Sequence, residues 1–256
     1  MFKRIKELRN YKELIWNFTS RDLKLKYKNS ALGFIWSLLN PLMMMVVYTI
    51  AFKFIMKQDI ENFSMYILTG ILPWSFFQAS IIGGTRCIID NAQLVKKVYF
   101  PREIIPFSMV LTNMINYLIT LVIVFLGLFI SKIHIGPHLL LLPIVLLLFF
   151  IFTYGLVLLL SSLDVIYRDI FHFVEVVFMA WIYLTPVVYT VDQAKELKWL
   201  FYFNPMYYPI QSIRDTLMYD RISYNYLLAM ALIAFVTLFV GYKSFIKIEK
   251  VFAEEI

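Results

Sequence analysis

The chain has 256 residues, of which 61% are hydrophobic and 16% charged, with a mean hydropathy of +0.74 and a net charge of +7. Soluble domains run nearer half apolar and a quarter charged, so a water-soluble globular enzyme is excluded and an integral membrane protein is expected. The single cysteine, Cys87, excludes an internal disulfide and argues against a cysteine-based metal site, and the positive charge points to cytoplasmic anchoring rather than to nucleic acid.

Residues 1–30 are rich in Lys and Arg and hold no apolar core of useful length, so no cleavable leader is expected and the first span would serve as the insertion signal. Ile5, Leu8, Tyr11, Leu14, Ile15 and Phe18 recur at spacings of three and four, with Lys3, Arg4, Lys6, Arg9 and Lys12 between them. That pattern predicts an amphipathic helix lying on the membrane surface; a simple topogenic charge cluster is the plainer alternative. The basic run from Arg21 to Lys28 then belongs at the lipid headgroups.

The first span is expected at 33–56, with Asn40-Pro41 inside it and a kink at the proline. Ser37, Pro41, Met44, Tyr48 and Phe52 share one of its faces, which mixes polar, flexible and aromatic groups and therefore turns inward. The second span is expected at 63–82, with Trp74 near its middle, closed by Gly83-Gly84 and Arg86.

The stretch from Asn91 to Glu103 is the longest polar-rich break between apolar runs. It carries Lys96, Lys97 and Arg102, which assigns it to the cytoplasm. Leu94, Val95 and Val98 are spaced as one face of a short helix that Pro101 ends. A docking point for a soluble partner and a solvated connecting loop both fit.

Further spans are expected at 104–130, 139–163, 170–189 and 224–245, separated by a turn at 131–138 and a short polar turn at 164–169. Residues 190–222 are amphipathic and aromatic but never both long and apolar enough to span; two short helices dipping into the outer leaflet are expected there. The reading is an all-α integral membrane protein of six transmembrane helices. An interfacial helix occupies 1–30 and a single membrane domain 31–256, which includes a cytoplasmic element at 87–103 and outer helices at 190–222. Most Lys and Arg fall in the segments so placed inside, with both termini cytoplasmic.

Several chemistries are absent. No glycine-rich run precedes a Lys-Ser or Lys-Thr pair, so the chain is not its own P-loop ATPase. Gly136-Pro137 separates His134 from His138, which disfavours a metal pair, and no nucleophile elbow or row of buried carboxylates is present. No catalytic and no metal residue is therefore nominated. Glu175 shares a face with His172, Met179, Tyr183, Pro186 and Thr190; a carboxylate snorkelling or bound to His172 or Arg168 is the plainer reading, the inner mouth of a pathway the other. The aromatic residues fit either interfacial belts or a row of rings that holds sugars weakly, and Tyr48, Phe52, Trp74 and Tyr183 lie too deep for a belt.

Arg21-Asp22-Leu23-Lys24-Leu25-Lys26-Tyr27, followed by Leu32-Gly33-Phe34-Ile35-Trp36-Ser37-Leu38-Leu39-Asn40-Pro41-Leu42, resembles the opening signature of the polysaccharide-exporting ABC transporter permeases. This is the Wzm-like group that includes O-antigen, capsule and teichoic-acid exporters. Asn91 to Glu103 resembles its connection between spans two and three. Leu184-Thr185-Pro186-Val187-Val188-Tyr189, then Asn204-Pro205-Met206 with Arg214, resembles its fifth span and outer helices.

The resemblance implies a homodimer in the plasma (inner) membrane. Each copy would bind a separate P-loop ATPase that carries the ATP and Mg, with no cofactor in this chain. The cargo would be a lipid-linked polysaccharide, O-antigen foremost. Asn91, Leu94, Val95, Lys96, Lys97, Val98, Phe100, Arg102 and Glu103 would couple to the ATPase. Ser37, Met44, Tyr48, Phe52, Trp74, Met179, Tyr183 and Tyr189 would line the channel, and Arg21, Lys24 and Lys28 would attract the lipid pyrophosphate. Phe201, Phe203, Tyr207 and Tyr208 would belong to the outer gate. A small-molecule ABC exporter permease and a membrane-embedded transferase of lipid-linked glycans remain as competing classes.

Overall fold

The computed structural model describes residues 10–28, 30, 32–57 and 60–256, and among them all regular structure is helical. Lys3, Arg4, Ile5, Lys6, Leu8 and Arg9 of the expected interfacial helix lie outside the described residues. α1 spans Lys12–Tyr27 and stops where Lys28 turns extended. Its apolar side does not face lipid alone: Phe18 is buried, and Tyr11, Leu14 and Ile15 pack against the same cluster of side chains.

α2 spans Trp36–Tyr48 and runs on as a π-helical stretch, Thr49–Ile55. Pro41 sits within regular helix, and the backbone irregularity begins more than two turns later, at Thr49. α3, Phe63–Asp90, passes straight through Gly83 and Gly84, where a second-span end was expected. The physical reason is packing: a Cβ at Gly84 would lie 2.5 Å from Val157 Cγ1, so the glycine admits a neighbouring helix rather than ending its own. α3 is the most buried of the long helices and packs on α5 (Ile104–Ile130) and α6 (Leu142–Ile166). A short helix α4, Ala92–Lys97, links α3 to α5.

Among the described residues five helices are long and apolar enough to cross a membrane: α2 with its π-helical extension, α3, α5, α6 with its leading turn, and α10 (Tyr224–Ile248) with the turn that follows it. The expected span at 170–189 is instead α7, Asp169–Trp181, followed by turns through residue 189. Thirteen residues rise only about 20 Å, and Pro186, which donates no backbone hydrogen bond, lies in the turns beyond. Residues 190–222 form a 3-10 stretch and the short helices α8 (Trp199–Phe203) and α9 (Tyr207–Met218). α11, Phe252–Glu255, closes the chain.

The two ends of the bundle are distinct. One end gathers α1, the 91–103 connection and α11 around Phe18, Val95, Phe100, Phe245 and Phe252; with its lysines and arginines it is the basic end. At the opposite end the Tyr66 hydroxyl donates to the Tyr189 carbonyl at 2.8 Å, and Asp220 meets His138. The chain therefore leaves the basic end after α6 and reaches the opposite end by Tyr189, through α7 and its turns.

The tightest helix pair is α6 with α10. Their backbones touch at Gly155 and Gly241: a Cβ on either would fall onto the backbone of the other helix. Small residues at a crossing let helices approach where lipid supplies no hydrophobic drive. Gly241→Ala is therefore expected to lower the thermal unfolding midpoint in detergent, at a cost of about 1–3 kcal/mol. Gly83→Ala, whose Cβ would meet only Met109 Sδ at 3.4 Å, is expected to leave the midpoint unchanged.

Candidate functional site

At the basic end, Asn91 closes α3 by donating its amide to the Cys87 carbonyl at 2.8 Å. The same side chain accepts from Arg21 at 3.3–3.4 Å, which ties α1 to the connection. Val95 and Phe100 turn inward, Phe100 within 6.3 Å of the Phe18 ring. Arg102 donates to the Glu249 carbonyl at 2.5 Å and lies over the Phe252 ring, and Lys96 reaches the Ile256 carbonyl. Glu103 is buried at the start of α5.

Between the two inward anchors, Lys96, Lys97, Val98 and Tyr99 stand exposed, with Tyr99 99% accessible. The expected face of Leu94, Val95 and Val98 is thus divided. Val95 belongs to the core, Leu94 packs beside it, and Val98 faces out together with Tyr99, which was not nominated. Both anchors are apolar, so only the solvated step between them is left to meet a partner.

Above this end a cavity of about 560 Å³ opens between α1, α2, α3 and α5. Of the expected channel residues, Ser37, Met44, Tyr48 and Trp74 line it. Trp74 is also core, stacked among Phe77, Phe178 and Trp181 where α3 meets α7. Phe52 packs against Tyr48 at 6.1 Å outside the lining. Met179 on the bare face of α7 and Tyr183 in the turns after it are 70% and 74% exposed, apart from the cavity. The cavity's polar side comes from residues that sequence reasoning missed: Asn113, Asn116, Tyr117 and Thr120 of α5. Their spacing of three, four and seven is one helical face in the middle of a span, and that was the available signal.

Of the expected basic mouth, Arg21 is engaged by Asp22 at 2.9 Å and by Asn91, while Lys24 and Lys28 are exposed and do not line the cavity. Lys26 lines it instead. Glu175 pairs with His172 at 3.4 Å, the plainer of the two expected arrangements. α7 begins at a fixed corner, because Asp164 accepts from the Phe171 amide at 3.0 Å and Arg86 lies 4.9 Å from the Phe171 ring.

At the opposite end the organising side chain is Arg214, fully buried on α9. It donates to the carbonyls of Pro186 and Val187, both at 2.5 Å, and to the Tyr66 hydroxyl at 2.9 Å, and it stacks 3.7 Å from the Tyr66 ring centre. Gly70 makes room, since a Cβ there would strike the guanidinium. Asn204 completes the tie: it donates to the Leu184 carbonyl at 3.0 Å and accepts from Trp181 Nε1 at 3.0 Å. Around this lie the expected gate residues. Phe201 stacks between Tyr189 and Tyr207, Tyr207 shares a hydrogen bond with Tyr226 at 2.9 Å, and Tyr208 donates to the Tyr202 carbonyl at 2.7 Å. Phe203 alone of the four is mostly exposed.

Two loops at this end are latched by Asp220, which accepts from the His138 backbone at 3.1 Å and meets its ring nitrogen at 3.0 Å. Desolvation acts upward on the Asp220 carboxyl, but the His138 hydrogen bonds outweigh it and hold the group below the usual carboxylate range. A depressed carboxylate contributes stability above its unfolded value that is lost only as pH falls through the folded one.

Arg214→Met leaves the Pro186 and Val187 carbonyls without donors, at about 1–3 kcal/mol each. It is expected to lower the unfolding midpoint sharply, and Gly70→Ala is expected to do the same. Because both act on one contact, their losses are expected to combine less than additively in a double-mutant cycle. Asp220→Asn is expected to reduce the midpoint at pH 7 and to have no effect once the pH lies below the ordinary carboxylate range, as thermal scans across pH would show.

The ABC-2 type transporter family matches residues 13–218. A Klebsiella pneumoniae protein named O-antigen export system permease protein RfbA is 33% identical, over 94% of both chains. A Myxococcus xanthus protein of the same name is also 33% identical, over 100% of both. With a basic connection, an apolar helical bundle and a polar cavity already in view, the chain belongs to the ABC-2 type transporter membrane family.

Proposed function

We propose that this chain is the permease subunit of an ATP-driven exporter that moves a lipid-linked polysaccharide, O-antigen foremost, from the cytoplasmic to the outer face of the plasma membrane. The observation that carries this reading is the match over nearly the whole chain to permeases named for O-antigen export. The chain would act as a homodimer with two copies of a separate P-loop ATPase, which supplies all the ATP and Mg chemistry. The bare faces of α2 and α7, with Met43, Val47, Phe173 and Val176 exposed, are the surfaces available for the second copy and for lipid.

The basic end would face the cytoplasm, as its lysines and arginines favour. α7 and its turns would then make a sixth, discontinuous crossing, which leaves both termini on the cytoplasmic side. α8 and α9 would dip into the outer leaflet as the gate, where Arg214 and Asn204 satisfy the backbone that a membrane cannot.

Coupling follows from the geometry at the basic end. The exposed step Lys96 to Tyr99 would sit in a cleft of the ATPase. A push on it passes through Phe100 to Phe18 of α1, and through Arg102 to Glu249 and Phe252 at the foot of α10. The connection has no slack, because Val95 and Phe100 anchor both sides of the step.

Tyr99→Ala removes an exposed aromatic anchor and is expected to weaken ATPase association by about tenfold or more. Glycan display on cells would fall in parallel, while the unfolding midpoint stays unchanged. Val95→Asp places a charge in the apolar cluster and is expected to lower the midpoint itself. Co-purification from native cells in mild detergent, with ATPase recovery measured by mass spectrometry, checks both. Full recovery and undiminished display in Tyr99→Ala would remove this step from the mechanism.

A further inference from the structure

The geometry points to a subsite for the hydroxyl-rich headgroup of a glycolipid, one or two sugar rings held inside a single protomer, in the cavity between α1, α2, α3 and α5. It rests on the export reading and names the part of the cargo recognised there.

The first ground is depth. Asn113 is the tenth residue of α5, roughly 14 Å along the helix from its basic-end start. Polar groups at that depth need partners, because hydrocarbon offers none. The Asn113 amide meets one on its donor side only, the Met109 carbonyl at 3.2 Å, and its oxygen has none among the described residues.

The second ground is the chemistry of the lining. Amides, which offer donor and acceptor side by side, match the paired hydroxyls of a sugar. Trp36, Tyr48 and Trp74 supply flat apolar faces beside them. Among the described residues no carboxylate or histidine lines the cavity, so none of them offers a cationic ligand a counter-charge there. Lys26 and Ser30, at the basic end, place one cation where a phosphate would follow the sugar. The volume, about 560 Å³, lies within the roughly 300–1,000 Å³ typical of small-ligand sites and is too small for a polymer.

The test uses the permease with its ATPase in nanodiscs and a polyprenyl diphosphate bearing one N-acetylhexosamine, compared with the same lipid lacking the sugar. The sugar-bearing probe is expected to bind about tenfold more tightly or better, as a site built for hydroxyls rejects an analogue without them. Asn113→Leu is expected to erase that preference without lowering the unfolding midpoint, and Asn113→Gln to restore part of it. Equal binding of the two probes, or a preference untouched in Asn113→Leu, overturns the subsite. A glycosyl diacylglycerol that binds as tightly as the diphosphate probe assigns the site to the sugar and removes Lys26 from it. If Asn40→Cys crosslinks two copies in most of the complex with saturating probe present, the cavity is a dimer face and the proposal fails. Tyr99→Ala is expected to abolish export with the sugar preference intact. Polymer display that persists in cells lacking the chain defeats the export reading independently of the binding result.

Discussion

A buried guanidinium that donates to loop carbonyls holds the far end of this molecule together. Arg214 is fully buried; its two terminal nitrogens donate to the carbonyls of Pro186 and Val187 and to Tyr66 of the central helix, while Nε has no hydrogen bond among the described residues. Burying a cation is costly unless its hydrogen bonds are met, so this arrangement stands only if three elements arrive together: α9, the turns after α7, and the first turns of α3. Gly70 is part of the same contact, because any larger residue would occupy the guanidinium's place. The turns after α7 are irregular backbone, and Arg214 and Asn204 supply the donors that a helix would have supplied internally. Without them the chain would have no tolerable way to finish its traverse to Tyr189.

The basic end is built on the opposite chemistry. There the connection between α3 and α5 is held by apolar anchors, Val95 and Phe100, set in a cluster that also receives α1 and the foot of α10. Polar contacts only trim it, as Arg21 meets Asn91 and Arg102 meets the Glu249 carbonyl. A packed cluster transmits displacement because it has little free volume to absorb one. The two ends thus differ in kind: a solvated step on apolar anchors at one end, and a hydrogen-bonded closure at the other, with the α6–α10 glycine crossing between them.

Much of this was legible in the residues. The apolar runs at 104–130 and 224–245 became long helices at their expected bounds at all but one end, where α10 carries its helix on to Ile248. The break at 91–103 became a short helix ended before Pro101. Other features were misread for identifiable reasons. Gly83-Gly84 resembles a helix end, yet a neighbouring helix needs that space. The 170–189 run is apolar enough to span, but Pro186 and the pull of Arg214 on the Pro186 and Val187 carbonyls take its second half out of helix. Val95 and Val98 share a helical spacing, yet α4 ends at Lys97, so they face opposite ways.

What the sequence by itself determined is the solvent the chain lives in, the helical class, and the family. These follow from composition and from local patterns that need no distant partner. The tertiary structure decided which polar residues meet one another. Arg214 and Tyr66 are far apart in the chain, and so are Arg102 and Glu249; nothing in their local spacing announces the pairing. The α5 face of Asn113, Asn116, Tyr117 and Thr120 stands between the two cases. Its periodicity could be read from the sequence, but only packing shows that it opens on a cavity rather than on another helix, because burial is a property of the neighbours and not of the helix that carries the residues.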